Sequence, residues 1–489
     1  MVSAQQGYSI NTRENIIQTS KSVAQDLMSL YHGDEPGQIP GILPGPPASG
    51  LGPYYWWEGG ALMGTMVDYW KYTGDTSYNN IVMQGMLHQV GSNRNYMPEN
   101  HTLSLGNDDQ GFWGLTAMLA AENKFPDPPA DQPQWLSLAQ AVWNTQADPS
   151  RHDETCNGGL RWQIPPTNQG YDYKNTIANG IFFNMGARLA RYTNNNTYAR
   201  RAEETWDWLW GVEFIDHENW AVYDGANVKD NCSVVVKAQY SYNAGVVVQG
   251  AAFMYNHVGS PLLPLFFFSS NTTNLLRNPP QTILDTQTDK LRQTKDDKWK
   301  NRLDKLLAAL LSSFFPNNIA FELPCEGMNG KGICTPDMLS YKGYVHRWLA
   351  VVAQLAPHTK ETIFNTLRVS AQAAIRQCTG GSSGRECGFY WNYGKFVDPA
   401  IDKTTGAGEY MDVLAAVLSL LTENSDAPLT NSTGGTSKGN PNAGGKDNGE
   451  KTTRPITMGD KVGAGIVTAV VLFVMGGLFI WMSFLDELE

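Results

Sequence analysis

Two consecutive acids, Asp108 and Asp109, stand in the segment "SLGNDDQGFWGL", between a glycine and an apolar run. Adjacent carboxylates repel each other, and partial burial beside aromatic side chains raises the pKa of one of them. One carboxylate is then suited to attack carbon and the other to donate a proton, which is the pair that cleavage of a glycosidic bond requires. Because neighbouring Cα atoms lie about 3.8 Å apart, the spacing favours a retaining over an inverting geometry.

Two other interpretations of this segment need no catalysis. Asn107 or Asp108 could cap a helix that begins here, because helix starts favour both residue types and negative charge. A cap uses only one acid, however, and leaves the second unexplained. A calcium site would need six or more oxygen ligands, and no Asp-x-Asp-x-Asp pattern supplies them. We expect neither a metal ion nor a cofactor.

The body of the chain repeats a unit of two helices. "WWEGGALMGTMVDYWKYTGDTSYNNIVMQGMLHQV" has an apolar, Gly- and Ala-rich helix, a short turn and a second helix, and "YKNTIANGIFFNMGARLARYTNNNTYARRAEETWDWLW" follows the same plan. Further pairs can be traced along the chain, and the last joins "TRENIIQTSKSVAQDLMSLYHG" to "GAGEYMDVLAAVLSLLTE". A helix that is apolar all round is buried, and one with a polar stripe faces water. The pattern predicts an all-α fold, an (α/α)6 barrel of six helical hairpins over residues 1–425.

In such a barrel the starts of the inner helices open onto one face, so side chains in or just before their first turns meet in a single cleft. Aromatic rings there can stack on sugars, and amides can bind hydroxyl groups. For each candidate, plain packing in the core is the competing interpretation, and for His346 it is the preferred one. The candidates for substrate binding are Trp56, Trp57, Glu58, Asn107, Trp113, Asn175, Asn179, Tyr240, Tyr242, Tyr341, His346 and Trp391.

Six cysteines and five glycosylation sequons indicate secretion. "CEGMNGKGIC" and "CTGGSSGREC" each enclose a short Gly-rich loop, which predicts disulfides Cys325–Cys334 and Cys378–Cys387 and leaves Cys156 with Cys232. Zinc is the alternative, but no Cys-x-x-Cys pair or nearby pair of histidines supports it. The sequons begin at Asn100, Asn195, Asn231, Asn271 and Asn431.

The composition changes towards the C-terminus. Residues 426–461 contain few apolar side chains and are predicted to form a disordered polar linker. Residues 462–485 are an apolar tail long enough to cross a bilayer. Small residues at Asn442, Ala443 and Gly444, a polar spacer and this tail resemble a glycosylphosphatidylinositol (GPI) attachment signal. An ordinary membrane span is the alternative, because the spacer is long and "DELE" follows the tail.

Two other segments depart from expectation. Residues 260–295 interrupt the helical pairs with a long insertion that shows no helical plan, and long structureless loops are uncommon in compact domains. We assign that insertion no role. The first thirty residues contain no apolar stretch of the kind that a signal peptide needs, so no signal peptide is expected in this sequence.

"WWEGG" at 56–60, "KYTGD" at 71–75 and above all "GNDDQGFWGL" at 106–115 resemble glycoside hydrolase family 76, the endo-1,6-α-mannanases, over residues 8–425. Among its members the chain is most similar to the fungal, GPI-anchored ones linked with the cell wall. The resemblance implies that Asp108 is the nucleophile and Asp109 the acid/base. It also implies an α-1,6-mannoside or the glycan core of a GPI anchor as donor, a β-glucan as acceptor, and a place at the outer face of the plasma membrane and in the cell wall.

Composition and residue types limit the alternatives. A net charge of -11 without any dense Lys/Arg run argues against a nucleic-acid partner. Sugar epimerases share the barrel but use histidine bases, and the 8 histidines here are not clustered. A non-catalytic carbohydrate-binding protein of the wall would keep the aromatic residues but has no need of a repelling acid pair. We expect a monomeric glycosidase or transglycosidase.

Overall fold

The structure is a computed structural model of the 489-residue chain. It describes residues 8–101, 105–259, 281–326, 334–397 and 406–444, together with Thr468. Between residues 281 and 296 it describes the backbone only. All statements below refer to these residues.

Twelve helices longer than one turn alternate along the described chain between an inner and an outer position. They are α1 (Arg13–Met28), α2 (Trp56–Thr73), α3 (Asn79–His88), α4 (Asn107–Asn123), α5 (Trp135–Gln146), α6 (Thr176–Thr193), α7 (Asn196–Gly211), α8 (Ser241–Gly259), α9 (Gln281–Phe314), α10 (Tyr341–Leu355), α11 (Lys360–Arg376) and α12 (Ala407–Ser419).

The even-numbered helices form a closed inner ring. Each packs against the next, and α12 packs back against α2. The outer helices α3, α5, α7, α9 and α11 each pack on the inner helix before them, and α1 packs on α12. This arrangement confirms the predicted (α/α)6 barrel of six helical hairpins, including the pair made from the two ends of the domain.

Burial explains which helix is inside. All 13 residues of α12 are buried, whereas only 5 of the 16 residues of α7 are. Because α7 has one apolar stripe and a charged face, it packs on the outside of the barrel with its charged face in solvent. Two ion pairs bind inner helices together, with Arg188 on Glu122 and Arg347 on Asp68, both at 2.6 Å.

Short strands lie at the end of the barrel at which the inner helices begin. A three-stranded antiparallel sheet joins β1 (Tyr173–Asn175), β2 (Gly225–Asn227) and β3 (Val235–Val236) in that order, with Asn175 opposite Gly225. A second pair, β4 (Cys378–Gly380) and β5 (Glu386–Cys387), is also antiparallel. Because β1 leads directly into α6, the first sheet fixes the loops around that helix start.

Residues 426–444 differ from the predicted disordered linker, because they lie along the outside of the barrel. We call them the C-terminal strap. Leu429 N donates to Glu122 O at 2.9 Å and Asn431 N to Tyr192 O at 3.1 Å, at the ends of α4 and α6. Further on, Ser437 Oγ accepts from Leu136 N at 2.9 Å. Backbone hydrogen bonds to the barrel therefore order a segment that is too polar to fold alone.

The structure also differs within the predicted insertion. Helix α9 begins at Gln281, so the second half of residues 260–295 has helical backbone and extends an outer helix. Residues 260–280 lie outside the described residues, as does the predicted apolar tail apart from Thr468. In the part of the chain that is described, no helix is both long and apolar enough to cross a bilayer.

Candidate active site

The loops that precede the inner helices form a cleft of about 590 Å³ over the starts of α4, α8 and α10. Asp108 and Asp109 line it, and they occupy the second and third positions of α4. Trp57, in the first turn of α2, also lines the cleft, and so does Asn175, which is the residue before α6. The cleft is therefore assembled from separate hairpins, as the barrel predicts.

The two acids are held by backbone groups at the start of α4. Asp109 Oδ2 accepts a hydrogen bond from Gly106 N at 2.6 Å, and Asp108 Oδ1 accepts one from Asp109 N at 3.0 Å. Both bonds satisfy amide groups that a helix start leaves without partners. The side chains of Asp108 and Asp109 therefore both cap α4 and line the cleft.

Both carboxyls have raised pKa values. For Asp108, burial is the main cause and the charge of Asp109 adds to it, so its pKa lies well above the usual range. Burial is the main cause that raises the pKa of Asp109 to about 7; the charge of Asp337 adds to it, and the hydrogen bond from Gly106 opposes it. Near neutral pH the pair accordingly holds a proton that it can donate.

A neighbouring loop clamps the start of α4 in place. Asn107 N donates to Trp162 O at 2.8 Å, and Ile164 N donates to Leu105 O at 3.1 Å, on either side of the bridge between Gly106 and Gln163. Asn107 Nδ2 adds a bond to Arg161 O at 2.8 Å. The residues before the two acids are thus bound to a second segment on both sides.

Two further aspartates line the cleft. Asp337 Oδ1 accepts from Trp57 Nε1 at 3.1 Å, and burial raises the pKa of Asp337 to about 6. Asp224 accepts from Tyr173 OH at 2.8 Å and from Asn243 Nδ2 at 3.2 Å, and burial raises its pKa as well. The described residues that line the cleft include no lysine, arginine or histidine. The site is rich in acceptors for hydroxyl groups.

Aromatic rings form the apolar wall. Tyr242 and Tyr341 are stacked with ring centroids 3.9 Å apart, and Tyr240 stands perpendicular to Tyr242 at 6.1 Å. A second pair of lining residues, Trp57 and Phe112, has ring centroids 4.5 Å apart. Rings of this kind present flat faces to the apolar face of a sugar.

Five of the predicted substrate-binding residues line the cleft: Trp57, Asn175, Tyr240, Tyr242 and Tyr341. Asn175 also caps α6, since its Oδ1 accepts from Ala178 N at 3.3 Å. These positions follow from the barrel, because all of them precede or begin an inner helix.

The other seven predicted residues do not line it. Trp56 donates to Gln89 and stacks on Trp113, inside the wall. The remaining five hold the backbone or the core: Glu58 caps α2, Asn107 and Asn179 bind loop carbonyls, and His346 and Trp391 pack together. Because consecutive helical residues point about 100° apart, only Trp57 of the three neighbours Trp56, Trp57 and Glu58 at the start of α2 faces the cleft.

His346 lies in the core and not in the cleft. Its two ring nitrogens contact Lys342 O at 2.6 Å and Ser370 Oγ at 2.9 Å, and the side chain is fully buried. Burial lowers its pKa to about 4. It is a satisfied core histidine, which was the preferred interpretation from sequence.

Sequence analysis missed several cleft residues, most of which lie outside the helices. The main ones are Tyr55, Phe112, Trp162, Tyr173, Asp224 and Asp337. Phe112 follows the acid pair by one helical turn and could have been found from that spacing. The loop residues carry no local signal, because only the folded barrel brings positions 162, 224 and 337 together.

Three disulfides close the loops around this face: Cys156–Cys232, Cys325–Cys334 and Cys378–Cys387. All six cysteines are paired as the spacing predicts, and such bonds persist in extracellular proteins. Four sequon asparagines, Asn100, Asn195, Asn231 and Asn431, are exposed, whereas Asn271 lies outside the described residues. The described residues contain no cluster of side chains that could hold a metal ion.

Comparison with known proteins places this geometry in a class. The family model of glycosyl hydrolase family 76 matches residues 15–288 and 291–432. Mannan endo-1,6-alpha-mannosidase DCW1 of Eremothecium gossypii is 40% identical over 467 residues, which cover 94% of this chain and 92% of that protein. The crystal structure of Dfg5 from Chaetomium thermophilum, in complex with glucosamine, is 58% identical with a TM-score of 0.81 and covers 91% and 99% of the two chains.

A more distant structure shares the fold. It is an inactive variant of the alpha-1,6-mannanase GH76A of Salegentibacter sp., with two consecutive aspartates replaced by asparagine, in complex with alpha-1,6-mannotriose. It is 12% identical, with a TM-score of 0.60, and the match covers 84% of this chain and 100% of that one.

A closed (α/α)6 barrel with paired carboxylates in an aromatic cleft defines a glycoside hydrolase. The chain belongs to glycosyl hydrolase family 76.

Proposed function

We propose that the protein is a retaining, endo-acting glycosidase or transglycosidase for α-1,6-linked mannosides, with Asp108 as nucleophile and Asp109 as acid/base. One observation carries the proposal: two adjacent carboxylates face one aromatic cleft. A Cβ atom built on the backbone of Gly106 would lie 2.2 Å from Asp108 Oδ1 and 2.5 Å from Asp109 Oδ2. Those two oxygens are therefore less than about 5 Å apart, which suits a retaining enzyme rather than the wider gap of an inverting one.

The reaction follows from the two roles. A carboxylate oxygen of Asp108 attacks the anomeric carbon of the mannose while Asp109 gives its proton to the departing glycosidic oxygen. A covalent mannosyl-enzyme forms and the leaving chain is released with a hydroxyl group. Asp109, now ionised, then removes a proton from water or from a sugar hydroxyl, whose oxygen displaces Asp108. The raised pKa values of the two carboxyls keep one proton on the pair near neutral pH, and this proton is the one that the first step transfers.

The substrate assignment rests on relatives named for mannan endo-1,6-α-mannosidase activity. The cleft supports it, because Tyr242 and Tyr341 offer stacking faces and four aspartates offer acceptors to the many hydroxyl groups of mannose. None of the cationic side chains that a phosphorylated or carboxylated sugar would need is among the described lining residues.

We further propose transfer to a β-glucan. The donor would be the mannose core of a GPI anchor, so that anchored proteins become joined covalently to the cell wall. The mannosyl-enzyme can be released by a sugar hydroxyl as readily as by water when an acceptor fills the cleft and excludes water. The C-terminal residues 462–485 would hold the protein at the outer face of the plasma membrane, through a GPI anchor or as a single span, and the three disulfides fit an extracellular location.

The proposal is tested by incubating residues 1–444 with a short α-1,6-mannooligosaccharide, with and without a β-glucan oligosaccharide, and following the products by mass. Shorter mannosides of retained α-configuration are expected without acceptor, and mannosyl-glucan adducts with it. Shorter mannosides alone would restrict the function to hydrolysis. Binding without any product would contradict the enzymatic proposal and favour a carbohydrate-binding protein.

A further inference from the structure

Gly106, the residue before α4, contacts both candidate catalytic acids. A Cβ atom added there would lie 2.2 Å from Asp108 Oδ1, 2.5 Å from Asp109 Oδ2 and 3.2 Å from Trp162 O. Contacts under 3.0 Å are closer than real Cβ atoms make. The two carboxylates thus occupy the space that any side chain at position 106 would fill.

The backbone conformation does not require glycine. Gly106 has φ -92° and ψ 162°, in the extended region that every residue adopts. The glycine is therefore explained by the space beside it and not by its conformational freedom. Gly406 differs: its φ of 91° is left-handed, and a Cβ there would meet only Leu30 Cδ1 at 3.6 Å.

The capping role does not require glycine either. Three inner helices carry an acid at the third position that accepts from the amide before the helix: Glu58 from Tyr55 N at 2.6 Å, Asp109 from Gly106 N at 2.6 Å, and Glu409 from Gly406 N at 2.7 Å. In α2 this amide belongs to a tyrosine. What distinguishes α4 is a second acid, Asp108, at the position where α2 has Trp57.

The clamp on the start of α4 prevents Gly106 from moving away. Asn107 N is bound to Trp162 O, and Leu105 O accepts from Ile164 N, so the backbone on both sides of Gly106 is fixed to one loop. An added Cβ would therefore be accommodated by rotation of the acids and not by a shift of the backbone.

We propose that Gly106 is a positioning residue of the active site: its missing side chain lets Asp108 and Asp109 turn towards each other, and its amide fixes Asp109 Oδ2. This inference rests on the proposed function, because it assumes that both acids act on the substrate. Misplacement of catalytic groups by about 1 Å lowers turnover by about 10²-fold.

The test compares Gly106→Ala with Gly211→Ala in residues 1–444 on a short α-1,6-mannooligosaccharide. Gly211 ends α7, and an added Cβ there meets nothing within 4 Å. We expect Gly106→Ala to lower kcat by about 10²-fold, to leave KM little changed and to shift the pH profile, whereas Gly211→Ala behaves like the parent protein. A Gly106→Ala protein with parental kcat and pH profile, beside an inactive Asp108→Ala protein, would overturn the positioning role and leave the proposed function standing. Absence of turnover by the unsubstituted protein would instead refute the proposed function.

Stability supplies a second readout if Gly106→Ala folds poorly. Asp108→Ala removes the carboxylate that an added Cβ approaches most closely, so the fall in Tm caused by Gly106→Ala is expected to be smaller in that background. Additive changes in Tm would show that the side chain at 106 does not collide with Asp108, and would contradict the proposal.

Discussion

Trp57 Nε1 donates a hydrogen bond to Asp337 Oδ1 at 3.1 Å, and so joins two lining residues of the cleft that are 280 positions apart in the chain. This bond links the start of α2 to the loop before α10. It fixes a third carboxylate near the candidate pair, and the charge of this carboxylate contributes to the raised pKa of Asp109.

Removing the charge of Asp337 is expected to move the alkaline limb of the pH profile. Asp337→Asn takes away a negative charge that raises the pKa of Asp109, so that pKa falls below about 7. Asp109 then loses its proton at lower pH, and the alkaline limb of kcat/KM shifts to lower pH. Asp224→Asn is the matched control, because Asp224 lines the cleft but does not contribute to the pKa of Asp109. Equal shifts in both variants would contradict this explanation.

The two acids are expected to respond differently to substitution. Asp109→Ala removes the proton donor and should lower kcat/KM on a natural mannoside by about 10²- to 10⁴-fold. A mannoside with a dinitrophenol leaving group needs no proton, so this variant should form the intermediate on it and be rescued by azide. Asp108→Ala should remain inactive on both substrates when no azide is added, because no covalent mannosyl-enzyme can form. Activity of Asp108→Ala on the activated substrate without azide would reverse the assigned roles.

Stability is expected to fall as the pH rises from near-neutral to mildly alkaline values. The folded-state pKa values of Asp337, Asp109 and Glu322 are raised to about 6, about 7 and about 8 from ordinary values of 3.8, 3.8 and 4.5, mainly by burial. A raised carboxyl pKa means that folding favours the protonated acid, so its contribution is complete below the ordinary value and is lost as the pH rises through the folded-state value.

The measurement is Tm of residues 1–444 between pH 4.5 and pH 8, the range that these values span. Asp75 and Asp153 work in the opposite sense, but only below 3.8, because their pKa values are lowered. The buried His152 and His346 also work in the opposite sense up to pH 6.5, because their pKa values are lowered from 6.5 to about 4. Tm should therefore fall with pH between pH 6.5 and pH 8, where these histidines are neutral in both the folded and the unfolded state. A Tm that stays constant or rises with pH in this interval would show that these acids are not buried in the folded protein.

The C-terminal strap is expected to stabilise the barrel. Truncation after residue 425 removes the hydrogen bonds from Leu136 N to Ser437 Oγ and from Asn440 N to Gln140 Oε1, at 2.9 and 2.6 Å, and uncovers α5. A few such bonds at about 1 kcal/mol each predict a loss of about 3 kcal/mol in unfolding free energy. Truncation after residue 444 is the control and should keep full stability by chemical denaturation. Equal stability of the two proteins would mean that the strap contributes nothing.

The sequence predicted the barrel because the burial pattern of each inner helix and of each outer helix can be read from neighbouring residues. Apolar character on all sides of one helix and on one side of the next is visible in any pair, and α2 with α3 shows the same plan as α6 with α7. The candidate pair Asp108 and Asp109 was equally visible, since two adjacent acids at a helix start exceed what a cap requires.

Composition was misleading for the strap. Residues 426–444 have too few apolar side chains to form a core of their own, and low apolar content predicts disorder for an isolated chain. Their backbone amides and carbonyls find partners on α4, α5 and α6 instead. Partners of this kind are supplied by the folded barrel and leave no pattern in the segment itself.

By itself the sequence therefore determined the fold class, the disulfide pairs and the position of the acid pair, because periodicity, loop length and adjacency are properties of neighbouring residues. Only the tertiary structure decided which side chains complete the cleft. Helical rotation turned Trp57 into the cleft and Trp56 into the wall, and closure of the ring brought Asp224 and Asp337 beside an acid pair more than a hundred positions away in the chain. Such contacts depend on the geometry of the closed barrel, which no single segment encodes.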